Sequence, residues 1–344
     1  MNMKVVYLTE PGKMEIAEEP RPEVTPGHVV VKIEYNGICG SDVHFFKDGR
    51  VGDCVLRDKF VLGHEVSGTV VEVGGGVKHL KVNDRVALEP GYACGKCEFC
   101  KSGRYNLCPE MKFFAAPPVA GALKEYVSHP ADMCFKLPEN VSTMEGALVE
   151  PLAVGLHATS LGGVSLGQSV VILGAGCIGL VTLLSAKARG ASRVIVADLH
   201  DKRLEFARNM GADYVINVQK EDLLQRIGEI LGDGPDVVFE TAGSPVTIAQ
   251  TPHVAKKGGT IVLVGMSSES EIKYNFFQAM EKEVTIKCVF RYRNLYPAAI
   301  AAISGGSINV KQIVTHEFTL DESNKAFATV VEDAQNVVKG IIKM

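Results

Sequence analysis

The sequence predicts a two-domain α/β protein, in which a mainly β domain precedes a doubly wound parallel sheet. Its 344 residues suffice for about two domains, and a hydrophobic fraction of 46% is ordinary for a protein with real cores. Short strands with turn punctuation fill the chain up to about Glu150, whereas strands and helices alternate from about Ser169. That alternation is typical of a parallel sheet covered by helices on both faces.

Two β-branched runs mark the first domain. Residues 29–35 follow the turn pair Pro26-Gly27, and residues 66–73 end at three consecutive glycines. Glycine and proline at the ends of such runs favour strands joined by turns. Because few long amphipathic patterns occur here, we expect this domain to be mainly β.

The second domain shows apolar runs separated by helical stretches. Strands that are buried on both faces read as continuous apolar runs. The predicted strands cover residues 170–173, 194–197, 214–217, 236–239 and 260–264, and helices are predicted up to residue 189 and over residues 201–210.

After about Cys288 the alternation ends. The tail holds an alanine-rich helix over residues 297–303, a second helix over 321–332 and an apolar end over 337–342. These segments suggest no third core, so we expect the tail to pack on the first domain. The predicted domains are therefore 1–152 with 289–344, and an inserted domain over 153–288.

Charge and composition exclude several classes of function. The formal net charge is -4 and the basic residues form no block, so a nucleic-acid partner is not expected. Residues 1–10 do not resemble a secretory signal, and no apolar run suggests a membrane span. With nine cysteines used for metal or packing rather than disulfides, we expect a cytoplasmic protein.

Four cysteines lie close together in sequence, spaced C-x2-C-x2-C-x7-C. They are Cys94, Cys97, Cys100 and Cys108. Short spacers let thiolates converge on one tetrahedral zinc ion, and a full set of four leaves no position for substrate, which predicts a structural zinc site. The alternatives are a disulfide pair or unrelated buried thiols.

A glycine-rich turn predicts a dinucleotide site. The motif G-x-G-x-x-G runs from Gly174 to Gly179, after a predicted strand and before a helix, which places phosphates at the helix N-terminus. Asp198 ends the next strand, where its carboxylate can accept from the adenosine ribose and select NAD over NADP, although Arg203 could accommodate a 2′-phosphate. The candidate cofactor residues here are Gly174, Gly176, Ile178, Gly179, Asp198 and Arg203. The alternative is a glycine turn without a ligand.

A second strand end at the same edge of the sheet is a weaker candidate. Val264, Gly265 and Met266 are expected near the nicotinamide, with an ordinary strand-ending turn as the alternative.

Two further segments suggest an open metal site. Cys39 lies in Gly-Ile-Cys-Gly-Ser-Asp, and His64 precedes Glu65. Catalytic zinc takes three protein ligands and keeps one position open. Taken alone, the histidine could be a structural residue and the cysteine a core residue.

The whole chain, from about Val5 to Lys343, resembles the zinc-dependent medium-chain alcohol dehydrogenases, and among them the sorbitol (L-iditol 2-dehydrogenase, polyol) branch. The resemblance rests on residues 37–42, 63–68, 94–108, 150–158, 174–179 and 289–292. It implies a GroES-like catalytic domain and a Rossmann domain that binds NAD, two zinc ions per chain, and a homo-oligomer, usually a tetramer.

The resemblance makes Cys39, His64 and Glu65 ligands of a catalytic zinc. Glu150 stands where related enzymes place another ligand, and in the sorbitol branch it typically holds the water on the zinc. Its alternative role is a buried helix-cap carboxylate. Ser41 and His44 match the spacing of a hydroxyl and histidine proton relay, although His44 could equally be an exposed side chain.

The resemblance also suggests substrate and cofactor contacts. Arg291, Tyr292, Glu150 and Phe114 are expected around a polyol, and Phe45 stands where many sorbitol dehydrogenases have a substrate-facing tyrosine. The cofactor contacts implied by this segment are Val289, Phe290 and Arg291.

The predicted reaction is NAD-dependent oxidation of a polyol such as sorbitol, xylitol or L-iditol to the 2-ketose. Zinc would stabilise the alkoxide from which hydride leaves. The alternatives are an enzyme for 2,3-butanediol, threonine or another secondary alcohol, and a non-catalytic protein that binds zinc and dinucleotide.

Overall fold

A computed structural model describes residues 1–52, 54–267 and 269–344, and the chain in it divides into two units. The first unit comprises Met1–Glu150, Tyr296–Gly306 and Val314–Met344, and the second comprises Pro151–Leu295 and Ser307–Ile313. The domain boundaries predicted from the sequence, after residues 152 and 288, stay predictions.

Helices of the described residues are short to medium in length. They are α1 Gly40–Asp48, α2 Glu98–Lys101, α3 Thr143–Ala147, α4 Val149–Gly162, α5 Cys177–Ala188, α6 Asp201–Asn209, α7 Leu223–Leu231, α8 Pro245–Val254, α9 Phe276–Glu281, α10 Tyr296–Ser304 and α11 Ser323–Glu332. Single 3-10 turns cover Tyr105–Leu107, Ala131–Met133, Val310–Ile313 and Leu320–Glu322.

Strands occur in both units. They are β1 Asn2–Glu10, β2 Lys13–Pro20, β3 His28–Gly37, β4 Arg50–Val51, β5 Cys54–Val55, β6 Glu65–Val73, β7 Arg85–Leu88, β8 Gly91–Tyr92, β9 Lys112–Phe113, β10 Tyr126–Pro130, β11 Cys134–Lys136, β12 Ser169–Leu173, β13 Arg193–Asp198, β14 Tyr214–Asn217, β15 Val237–Glu240, β16 Thr260–Leu263, β17 Thr285–Cys288, β18 Val314–Thr319 and β19 Lys339–Lys343.

The first unit is built around a sheet in which β3 pairs with β6, β10 and β19. Within the described residues its strand order is β11-β7-β6-β3-β19-β18, with β10 also paired to β3. The antiparallel pairs of β3 with β6 and with β19 bring Gly37 opposite both Glu65 and Ile341. The C-terminal tail therefore returns to the sheet of the first unit, and it lies beside the strand that leads to Cys39.

The second unit holds a parallel sheet with the order β14-β13-β12-β15-β16-β17. All five neighbouring pairs in it are parallel. The central strand β12 is apolar and its residues Val170, Val171 and Ile172 are fully buried, as expected for a sheet covered on both faces. The order reverses between β12 and β15, so the predicted doubly wound fold is confirmed.

One predicted tail helix differs from the structure. The helix expected over residues 321–332 begins instead as the 3-10 turn Leu320–Glu322, and α11 starts at Ser323. A capping box of Thr319 and Glu322, whose side chains bond each other's backbone, marks the start of this helical segment. The apolar end forms β19, in which Lys339 is a buried charged residue beside buried Ile341 and Ile342, whereas Lys343 at the other end is exposed.

No helix in the described part of the chain combines the length and apolar character needed to cross a membrane.

Candidate metal centres and cofactor site

Cys39 is placed by the start of α1. It is the residue before the helix and has an extended backbone, with φ -88° and ψ 152°. The Ser41 hydroxyl donates to the Cys39 sulfur at 3.4 Å. His44 lies one turn further along, where its Nδ1 is 3.7 Å from Asp48 Oδ2, so its charged partner comes from its own helix.

His64 and Glu65 lie where the chain enters β6. Both are buried, with 6% and 1% of their surface exposed. One ligand atom each from Cys39, His64 and Glu65 lies within 4.8 Å of the other two. Tetrahedral zinc with bonds of about 2.0–2.3 Å requires ligand atoms about 3.5 Å apart, so this donor set fits a zinc ion.

A buried acid lies next to the His64 ring. Asp42 in α1 is 1% exposed, and its Oδ2 lies 3.4 Å from His64 Nδ1. Burial alone lowers the pKa of His64, but the negative charges of Asp42 and Cys39 outweigh it and hold that pKa well above its usual value. The centre therefore favours a positive charge at this imidazole, which a metal ion would supply in place of a proton.

A buried lysine forms an ion pair with Glu65. Lys339 Nζ donates to Glu65 Oε1 at 2.7 Å and to Oε2 at 2.8 Å. A role for Asp42 or Lys339 at the metal site was not predicted from the sequence. The available signals were the acid three residues after Cys39 and a lysine that directly precedes the apolar residues 340–342 of the last strand.

Glu150 is buried near the start of α4, with 5% of its surface exposed. It is not among the mutually close ligand atoms of Cys39, His64 and Glu65. Glu89, another buried acid, has its pKa raised to about 7, chiefly by burial and further by the charge of Glu150, against a lowering by the Tyr105 hydroxyl. A role for Glu150 on the metal, directly or through water, stays a prediction.

The two candidate phenylalanines lie in hydrophobic cores. Phe45 is 4% exposed and packs against Phe60, with ring centroids 6.5 Å apart. Phe114 is 7% exposed and packs against His129 at 4.7 Å. Contact with a substrate stays a prediction for both.

The four-cysteine lobe converges on one point. The sulfur atoms of Cys94, Cys97, Cys100 and Cys108 all lie within 4.8 Å of one another. Backbone N–H groups of Lys96 and Cys97 lower the pKa of the Cys94 thiol to about 7, whereas burial and then Cys97 raise the pKa of Cys100 to about 12. Four thiols this close cannot all ionise without a cation, which fits a tetrahedral zinc site.

The glycine loop after β12 has the geometry of a phosphate cradle. Gly174 has a φ of +107°, and a Cβ on Gly179 would lie 1.9 Å from the Gly174 carbonyl oxygen. Asp198 accepts from the backbone N–H of Ala175 at 2.7 Å and of His200 at 2.9 Å. An added Cβ on Gly176 would be 3.9 Å from Arg203 Nη1, which puts that guanidinium over the loop.

Ile178 lies in the first turn of α5, which begins directly after Gly176 of the loop. The loop, the helix N-terminus and the acid at the end of β13 therefore occur together in the second unit, and they fit a dinucleotide.

The other cofactor candidates follow the ends of β16 and β17. Gly265 donates its N–H to the Glu240 carbonyl at 3.0 Å, between half-buried Val264 and exposed Met266. Val289 donates to the Leu263 carbonyl at 2.9 Å, so both segments lie at one edge of the sheet.

Residues 290–292 continue from that edge. Arg291 has a φ of +55° and its guanidinium packs 4.9 Å from the Phe290 ring centroid. Tyr292 is 3% exposed.

Comparison with known proteins agrees with this geometry. The alcohol dehydrogenase GroES-like domain family matches residues 25–139, and the zinc-binding dehydrogenase family matches residues 177–305. The chain is 46% identical to the zinc-type alcohol dehydrogenase-like protein YdjJ of Escherichia coli K12, over all of this chain and 99% of that one. It is 47% identical to the sorbitol dehydrogenase of Rattus norvegicus, over 93% of this chain and 90% of that one.

A solved structure is similar over its whole length. The Escherichia coli protein ECK1772, described as an oxidoreductase/dehydrogenase of unknown specificity involved in membrane biogenesis, superposes with a TM-score of 0.96 at 44% identity, covering 100% of this chain and 99% of that one. The fold and the family matches agree, since the first unit is mainly β and GroES-like and the second is a Rossmann unit. The chain belongs to the zinc-type medium-chain alcohol dehydrogenases and is an oxidoreductase of that family.

Proposed function

We propose that this protein oxidises a secondary hydroxyl at C2 of a polyol such as sorbitol, xylitol or L-iditol to the 2-ketose, with NAD as hydride acceptor. The observation that carries the proposal is the buried group of Cys39, His64 and Glu65, whose ligand atoms lie within 4.8 Å of one another. The 47% identity with rat sorbitol dehydrogenase supports the choice of a polyol.

The three ligand residues would hold a catalytic zinc. A zinc ion bound there supplies Lewis acidity, which makes an alcohol hydroxyl easier to deprotonate and its carbon a better hydride donor. Cys39 and Glu65 contribute the negative charge of the site, and Asp42 keeps the His64 ring oriented and basic.

Proton release and substrate orientation fall to neighbouring side chains in this proposal. Ser41 is the first member of the relay because its hydroxyl already contacts the Cys39 sulfur, and His44 is the second. Glu150 orients the reacting hydroxyl. Arg291 offers several fixed donors to a string of hydroxyls, with Tyr292 beside it, while Phe45 and Phe114 supply apolar walls.

NAD is the proposed cofactor rather than NADP. The carboxylate of Asp198 would accept from the ribose hydroxyls and repel a 2′-phosphate. Arg203 Nη1 would lie 3.9 Å from a Cβ on Gly176, and this position near the glycine loop supports a role for that guanidinium at the pyrophosphate.

Assembly and location belong to the same proposal. We infer a homo-oligomer, a tetramer by analogy with the resembled enzymes, with one structural and one catalytic zinc ion per chain. A cytoplasmic location is supported by nine cysteines that are all free of disulfides.

The experiment is a substrate panel scored by NADH or NADPH formation with the purified protein. Sorbitol, xylitol and L-iditol are compared with 2,3-butanediol and threonine, each with NAD and NADP. The proposal predicts the largest kcat/KM for a polyol with NAD. A much larger kcat/KM for butanediol or threonine would replace the polyol assignment, and no turnover of any alcohol by zinc-loaded protein would favour a binding protein.

A further inference from the structure

Lys339 is a buried charge that the proposed reaction does not use. It lies in β19, and 3% of its surface is exposed. Moving an ammonium group out of water is costly unless partners satisfy it. The hydrogen-bond and ion-pair partners of the Lys339 ammonium group therefore indicate its role.

The ammonium group contacts both segments that carry anionic metal ligands. Its Nζ lies 2.7 Å and 2.8 Å from the two oxygens of Glu65, and it donates to the carbonyl of Ile38 at 2.9 Å. Ile38 directly precedes Cys39. One lysine thus joins the Glu65 carboxylate to the backbone next to the thiolate ligand.

The surroundings confine this arrangement. The N–H of Ile38 donates to the Gly340 carbonyl at 3.0 Å, which ties the lysine's strand to the Cys39 segment. A Cβ on Gly37 would lie 2.0 Å from Glu65 Oε2, so the carboxylate occupies the space that a side chain would need. The Glu65 carboxylate therefore packs against the backbone of Gly37 and has little room to move away from Lys339.

The charges give the contact a consequence for the metal. One thiolate and one carboxylate formally neutralise a zinc dication, and the buried Asp42 carboxylate beside His64 adds a further negative charge, which weakens the Lewis acidity of the centre. A buried ammonium group on the carboxylate adds one positive charge and withdraws electron density from that ligand.

We propose that Lys339 is a positioning residue of the metal centre, which competes with the ion for the Glu65 carboxylate and offsets the negative charge of that ligand. This inference rests on the proposed zinc site at Cys39, His64 and Glu65. Lys339 acts through Glu65 and touches no substrate.

Three substitutions separate charge from packing. Lys339→Met removes the charge and the donors, Lys339→Gln removes the charge and keeps donors for Ile38 and Glu65, and Lys339→Arg keeps both. Zinc release to a chromogenic chelator is followed for each variant. The kinetic phase that is missing from Cys39→Ser is assigned to zinc at this centre. The second readout is the visible spectrum of the cobalt-substituted protein, and the third is kcat and KM for sorbitol.

Without the positive charge, Glu65 binds the ion more strongly. We expect Lys339→Met and Lys339→Gln to release zinc about tenfold more slowly than the wild type, with altered cobalt bands. Their kcat falls about tenfold while KM changes little, because the loss concerns the centre and not substrate binding. Lys339→Arg stays near the wild type in all three readouts.

Other outcomes overturn the inference. If Lys339→Gln matches the wild type and only Lys339→Met changes, the lysine is a packing clamp without an effect on the metal. Faster zinc release from Lys339→Gln also contradicts it, and this variant keeps the test valid if Lys339→Met does not fold. A wild type without zinc at this site refutes both proposals, whereas slower zinc release in variants of a protein that oxidises no alcohol refutes only the proposed reaction.

Discussion

At the scale of single residues, the candidate metal centre is a set of buried ionisable side chains that lie in pairs. His64 has Asp42 behind it and Glu65 has Lys339, and the two partners act in opposite senses. The acid makes the imidazole a stronger donor, and the ammonium makes the carboxylate a weaker one. The candidate ligands can be named from the sequence, whereas Lys339 lies 274 residues after Glu65 in the chain. Its position depends on the pairing of β19 with β3, which no local pattern encodes.

Gly37 tests how closely Glu65 is confined. In Gly37→Ala the new Cβ would overlap the Glu65 carboxylate, which is buried and cannot move away freely. We expect loss of zinc from this centre and a 10- to 100-fold fall, roughly, in kcat/KM for the alcohol. The matched control is Gly40→Ala, since nothing lies within 4 Å of a Cβ there. Equal zinc content and activity in the two variants would show that Glu65 is not held as described.

His129 predicts a loss of stability in acid. It is fully buried, its Nε2 lies 2.8 Å from the Glu89 carbonyl oxygen, and burial lowers its pKa to about 4. The unfolded chain takes up this proton at a pKa of about 6.5, so the unfolded state binds more protons as pH falls from about 6.5 to 4. Stability is therefore lost in that window, by about 2 kcal/mol from this residue between pH 7 and pH 5.

The measurement compares the wild type with His129→Asn by urea unfolding at pH 7 and pH 5. The asparagine retains a donor and does not titrate, so the variant should lose about 2 kcal/mol less than the wild type between the two pH values. His157, whose pKa is also lowered to about 4 by burial and then by Arg293, is present in both proteins and supplies the common background. An identical loss in both would contradict the assignment to His129.

At the scale of elements, the apolar runs and turn residues were sufficient to predict the sheet of the second unit. Its strands are buried on both faces, so their sequence is continuous and apolar, and β12, β13 and β16 appear within a residue or two of the predicted bounds. The tail was harder to predict. The sequence of its apolar end did not distinguish a strand from a helix, since a short buried strand and a buried helix segment look alike. The helical segment that precedes it begins with a 3-10 turn before α11.

The glycine loop of the second unit gives a prediction for a single element. A Cβ on Gly179 would lie 1.9 Å from the Gly174 carbonyl oxygen, so Gly179→Ala must push α5 away from β12. Because the cradle is then distorted, we expect the Kd for NADH to rise about tenfold or more. Titration can follow the emission of NADH itself, as the chain contains no tryptophan.

A glycine in a neighbouring helix supplies the control for this loop. Nothing lies within 4 Å of a Cβ at Gly228 in α7, so Gly228→Ala should leave the Kd for NADH unchanged and raise stability by about 0.5–1 kcal/mol. NADH binding by Gly179→Ala that equals binding by Gly228→Ala would rule out the cradle.

At the scale of the whole molecule, the two candidate metal centres differ in the kind of ligand set that they offer. Both lie in the first unit, but the four cysteines are close neighbours in sequence and form a closed set, whereas Cys39, His64 and Glu65 form an open set of three. A closed thiolate set stabilises the fold around it, and an open set leaves room for substrate. The C-terminal strand completes the open centre through Lys339, so the tail contributes to the site as well as to the sheet.

In the proposed mechanism, the open centre binds a zinc ion on which alcohol oxidation depends, while the four-cysteine lobe binds a second one. Native mass spectrometry of the wild type and Cys39→Ser, with sorbitol-dependent NADH formation measured on the same samples, tests it most directly. We predict two zinc ions per chain and turnover in the wild type, against one ion and no measurable turnover in Cys39→Ser. A Cys39→Ser protein that keeps two ions, or that oxidises sorbitol at the wild-type rate, would contradict the account.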